Sequence, residues 1–155
     1  MEPLFVALES TAVAEYLRDS RWGYAAVITA HILGVALLVG AIIPFNLHVL
    51  GLWRSISRLT LARVLLPVAA TGLLLAIIAG TLLFSVRAVE YWQIAFLQIK
   101  ITLVIAGTLS ALLLYRAYGL SLEGASELKL RVHAVLSTVC WLGALVCGRL
   151  IAFAD

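Results

Sequence analysis

Residues 24–52 read YAAVITAHILGVALLVGAIIPFNLHVLGL, 29 consecutive positions without a lysine, arginine, aspartate or glutamate. About 20 mostly apolar residues suffice for a helix to cross the hydrocarbon layer of a bilayer. The stretch therefore predicts a spanning helix longer than the minimum, with Pro44 and Asn46 as the expected place for a kink before Trp53 reaches the interface. Three more apolar runs follow at residues 61–86, 95–120 and 130–153. Four long apolar segments joined by short connections give an all-α fold, an integral membrane up-down four-helix bundle occupying a single domain, residues 1–155.

Composition agrees. Apolar residues make up 64% of the chain, charged residues 12%, and the mean hydropathy is +1.11. A soluble domain is nearer half apolar. Repeats, low-complexity tracts and interdomain linkers are absent from the sequence. The net charge of +3 sits mostly in the connections, where it reports orientation in a bilayer and not a nucleic-acid partner.

Ahead of the first span, Leu4, Phe5, Leu8, Ala12 and Leu17 recur near helical spacing, with Glu2, Glu9, Glu15 and Arg18 elsewhere. This predicts a short amphipathic helix within residues 1–20, lying on the membrane surface. Glu2 and Glu9 precede any basic residue, so the start does not resemble a secretory signal, and insertion is expected to rely on the first span. Trp22 and Tyr24 at one end, and Tyr91 and Trp92 in the second connection, suit the membrane interface. The second span is rich in small residues, Ala69, Ala70, Gly72, Ala76, Ala79 and Gly80, which let helices approach closely.

Arg54, Arg58 and Arg63 flank the first connection, and Arg116, Lys129 and Arg131 flank the third. The opposite side carries Arg18, Arg21 and Arg87, with Lys100 and Arg149 falling toward it. The positive-inside rule then predicts that both termini lie outside the cytoplasm, which is the periplasm if the membrane is the bacterial inner membrane.

Ionisable groups inside such spans are costly and are candidate sites by default. All three histidines, His31, His48 and His133, lie in the first and fourth spans. At 1.5 Å per residue, His48 and His133 share a level roughly 12 to 15 Å to the cytoplasmic side of the bilayer centre. His31 and Lys100 share one roughly 10 Å to the outer side. Two imidazoles at one level on facing helices suit the axial positions of a haem iron. The face formed by His133, Ser137, Cys140, Ala144 and Gly148 is small enough to leave room for a flat group, although histidines near span ends are also commonly interfacial. Lys100 either snorkels to the headgroups or holds a metal, a propionate or a quinone carbonyl. Arg149, at a similar depth, is a second partner for an anionic group, or else pairs with Asp155 or a lipid phosphate. Trp141, midway along the fourth span, has an indole N–H that lipid cannot satisfy; it packs on a cofactor edge or bonds to a backbone group. Cys140 and Cys147 are about 10 Å apart along their helix, too far to bridge. With Met1 as the only methionine, soft-metal transport is disfavoured.

Several stretches carry a resemblance. LRDSRWGY at 17–24, AHILG at 30–34, AFLQIKITL at 95–103 and STVCWLGALVCGRLIAF at 137–153 resemble a family of uncharacterised bacterial four-helix inner-membrane proteins, a domain of unknown function, over nearly the whole chain. More distantly, a first-span histidine with a lysine opening the third span is similar to the membrane protoporphyrinogen-oxidase family. That likeness implies haem b, with His31 and Lys100 as the functional pair. The architecture also resembles copper-resistance D type proteins, whose richness in metal ligands is missing here.

These observations lead to the expectation of a haem b-binding membrane protein of redox type, with His31, Lys100, His48 and His133 around one or two haems and a quinone or porphyrin-like donor in the lipid. A non-catalytic subunit of a larger membrane complex or a homo-oligomer is the alternative. Transport of a small solute or metal is the second alternative, with little in four unrepeated spans to build alternating access from.

Overall fold

The computed structural model describes residues 2–120, 122 and 124–153. Among them it contains helices and no strand: α1 (Glu2–Glu9), α2 (Ala12–Asp19), α3 (Arg21–Leu50), α4 (Arg58–Val86), α5 (Ala88–Trp92), α6 (Ala95–Tyr118) and α7 (Glu127–Ile151). Helices α3, α4, α6 and α7 have 30, 29, 24 and 25 residues and the hydropathy of membrane spans. At 1.5 Å per residue they are about 36 to 45 Å long, enough to cross a hydrocarbon core of about 30 Å. The chain is a multi-pass, all-helical membrane bundle.

Local chemistry fixes where these helices begin and end. Ser20, Ser57 and Ser126 stand just before α3, α4 and α7, and each hydroxyl accepts the backbone N–H three residues on, from Gly23, Thr60 and Lys129. Helix α3 stops at Gly51, whose φ of +117° is open to glycine at no steric cost. The Gly51 N–H bonds to the His48 carbonyl at 3.0 Å and the Leu52 N–H to the Leu47 carbonyl at 3.0 Å, the paired bonds of a Schellman ending. Helix α3 runs through Pro44, the expected place for a kink, as one continuous helix.

Packing joins two hairpins, α3 with α4 and α6 with α7, along a contact between α3 and α7. In the first hairpin the backbones touch. A Cβ on Gly34 would sit 2.6 Å from the Ala76 nitrogen, and one on Gly72 would sit 2.5 Å from the Leu38 nitrogen. Helix α6 rests on α7, with Gly107 opposite the Trp141 indole, and has no close backbone contact with α3 or α4 among the described residues. Leu38, Ala41, Ile42, Ala69 and Trp141 form the core midway along the bundle. A second core, including Phe45, Val49, Leu114, Leu122 and Leu130, lies toward the end carrying the α3–α4 and α6–α7 connections, here termed the far end.

The near end carries α1, α2 and α5. The single surface helix expected over residues 3–18 is instead two helices, because the Thr11 hydroxyl caps α2 by accepting the Ala14 N–H and ends the run begun by α1. The pair is bonded to the bundle. Arg18 donates to the carbonyls of Val86 at 3.2 Å and Glu9 at 2.6 Å, while the Glu9 carboxylate accepts the Val89 N–H at 2.9 Å. The Phe5 ring meets Phe84 edge-on at 5.7 Å and Trp92 at 5.3 Å. The amino-terminal helices are thus pinned to the corner between α4 and α5, leaving Leu4, Val6, Val13 and Tyr16 exposed.

Candidate functional site

The near-end pair expected from the sequence, His31 and Lys100, packs against two different helices, α4 and α7. His31 lies in the groove between α3 and α4, where its Nδ1 is 2.9 Å from the Ala76 carbonyl. A carbonyl only accepts, so Nδ1 carries the hydrogen and Nε2 is left with its lone pair. The ring packs directly on Gly80, since a Cβ there would lie 3.0 Å from Cε1. Lys100 reaches over α7 at Gly148, where a Cβ would be 3.1 Å from Nζ. The two side chains are half-buried and within electrostatic range of each other, and Cys147 is within range of Lys100.

Above them, Tyr24 at the start of α3 and Tyr91 on α5 meet through their phenols. The Tyr91 hydroxyl is pushed up to about 12, first by burial and then by the hydrogen bond to Tyr24.

The far-end pair behaves differently. His48 is buried, and its Nδ1 donates to the Leu52 carbonyl at 3.1 Å, so the ring helps close the helix ending already formed by Gly51. His133 bonds through Nδ1 to the Ser110 hydroxyl at 2.9 Å. Nearby, Asn46 is buried and its Nδ2 donates to the hydroxyls of Ser137 and Thr138, both at 3.1 Å. Asn46, Ser110, His133 and Ser137 line a cavity of about 40 Å³ between α3, α6 and α7, and His48 does not. Organic ligand sites are typically about 300 Å³ or more, so this space suits water and does not fit a haem.

Trp141 is core, packed among Leu38, Ala41, Ile42 and Ala69 with Gly107 against its six-membered ring. Arg149 is exposed and stacks over the Phe153 ring at 4.8 Å, apart from the pairing expected with an anionic group; Asp155 lies outside the described residues. Cys140 is buried, Cys147 half-buried, and both are free thiols.

The sequence reading passed over Asn46 as a kink residue and Ser110 altogether. The available signal was an amide within an apolar span, which demands partners for its donors wherever water is scarce. Comparison with family models, curated proteins and solved structures finds no match to this chain.

Proposed function

We propose that the protein binds haem b at the near end of the bundle through His31 and passes single electrons between a quinone in the lipid and an acceptor. The observation that carries this is the His31 geometry. A ring held by Nδ1–H to a backbone carbonyl, with Nε2 free, is how imidazoles that ligate metals are usually oriented. Lys100 supports it as the cation for a propionate or a quinone carbonyl. The resemblance carried by His31 and Lys100 points the same way.

Bound haem supplies reversible one-electron chemistry. The chain's own part is to orient His31, to offset negative charge with Lys100 and to keep bulk water away with the packed core around Trp141. The cation distribution supports an orientation with both termini periplasmic and this site in the outer half of the membrane. The far-end histidines are assigned no haem. The test is an absorption spectrum of protein expressed with ample haem and purified, oxidised and then reduced. A Soret band that sharpens and shifts on reduction is expected. Colourless protein under those conditions overturns the proposal.

One observation favours a second reading, an accessory subunit. Among the described residues α6 buries Gly107 and Leu114 alone, which leaves most of its apolar surface free for lipid or another helix. Under that reading a membrane partner co-purifies in mild detergent and the protein is colourless.

A further inference from the structure

We propose that the near ends of α6 and α7 bind the phosphate of an anionic phospholipid from the surrounding leaflet, with Lys100 and Arg149 as its two cations. Lys100 lies in the second turn of α6, which begins at Ala95, and its side chain crosses to α7. There a Cβ on Gly148 would be 3.1 Å from Nζ, 3.5 Å from Cε and 3.7 Å from Cδ, so the stem lies flat over a position with no side chain to block it. Gly148 and Arg149 belong to the final turn of α7, which ends at Ile151. The two cations therefore meet the membrane at one helix end.

No acid of the protein neutralises them. Residues 95–120 and 130–153 contain no aspartate or glutamate, and the ion pairs among the described residues are Arg58 with Glu127 and Arg87 with Glu90. Of the two lysines, only Lys129 donates a side-chain hydrogen bond among the described residues, to the Tyr118 hydroxyl. Arg149 stacks over the Phe153 ring at 4.8 Å. The negative end of the α7 dipole favours cations here, but it amounts to about half a unit charge against two full ones. A half-buried charge in a membrane is costly until it is paired, so the balance calls for an anion from outside the chain.

A phospholipid phosphate supplies that anion where the spans end, and ammonium and guanidinium groups both hold phosphate through charge-assisted hydrogen bonds. The acyl chains have a place as well. No residue of 95–106 or 145–151 is buried, and Phe96, Ile99, Val146 and Leu150 expose apolar surface along the same two helix ends. A lipid of net negative charge is favoured over a zwitterionic one, whose own cation is repelled by Lys100 and Arg149. The site needs no haem, and a propionate arriving at Lys100 would take the place of the phosphate.

The experiment is solid-state NMR of the haem-free, full-length chain in bilayers, reading the dipolar coupling between labelled lysine side-chain nitrogen and lipid phosphorus in phosphate-free buffer. Lys129→Gln leaves Lys100 as the only lysine. Phosphorus should dephase the Lys100 signal more strongly in phosphatidylcholine bilayers containing phosphatidylglycerol than in phosphatidylcholine alone, and Arg149→Gln should abolish the difference. Lys129 and Arg149 are both exposed, so neither replacement disturbs the core. Absence of dephasing, equal dephasing in the two bilayers, or a difference that survives Arg149→Gln overturns the proposal, and none of these results bears on whether haem binds.

Discussion

The Nδ1 of His31 donates to the main-chain carbonyl of Ala76 across 2.9 Å, so the first membrane helix holds its imidazole through a bond to the second. That bond depends on how closely α3 and α4 approach. Gly34 and Gly72 set the approach, because each helix presents its glycine to the other's backbone, and Gly34 itself faces Ala76.

Gly34→Ala and Gly72→Ala should each destabilise the protein by about 1 to 3 kcal/mol, since an added methyl meets backbone that cannot step aside. Gly40→Ala is the control: a Cβ there meets nothing within 4 Å, and no loss is expected. Unfolding of the lipid- or detergent-embedded protein, followed by helical signal against denaturing detergent, checks all three.

Asn46→Ala removes two interhelical hydrogen bonds, to Ser137 and Thr138. Such bonds in membranes average about 0.6 kcal/mol, so a loss of about 1 to 2 kcal/mol is expected. A double-mutant cycle with Ser137→Ala should return a coupling near 0.6 kcal/mol, and additive effects would mean the pair does not interact.

Arg18→Ala releases two carbonyls at the near end, and Glu9→Gln weakens the hold on the Val89 N–H. Either change should speed proteinase K cleavage around Ser10–Thr11 in reconstituted protein. Arg58→Ala, which removes an ion pair of 3.1 Å to the exposed Glu127, should leave cleavage there unchanged and alter stability by no more than about 1 kcal/mol.

Tyr91 gives a pH dependence. Its folded pKa is raised from 10.0 to about 12, so the neutral phenol's contribution is complete below pH 10 and is lost as pH climbs through 12. Thermal unfolding measured across that window should show stability falling in the native chain and falling less in Tyr91→Phe.

The membrane fold was legible because its signal is cumulative. Residues 24–52 contain no charged side chain, and three similar runs leave few other architectures. The level of His31 and Lys100 was legible as well, since rise per residue converts position into depth. Direction around the helix was not. His48 stands at the same depth as His133, yet its ring turns back to its own helix end at Leu52, a consequence of the Gly51 turn that depth alone does not encode. Asn46 was hidden for a related reason: its partners, Ser137 and Thr138, are 91 and 92 residues away, and hydroxyls within spans more often bond to their own helix, as Thr71 does to Pro67. The break at Ser10–Thr11 was hidden because a threonine can lie within a helix or cap one, and here Arg18 and Glu9 decide in favour of the cap.

Titration of haem-free protein with haem tests the central claim most directly, with binding followed by the Soret band in the native chain, in His31→Ala and in His133→Ala. The account predicts one equivalent bound by the native chain and by His133→Ala, with binding lost in His31→Ala. Undiminished binding by His31→Ala, or loss confined to His133→Ala, would contradict it.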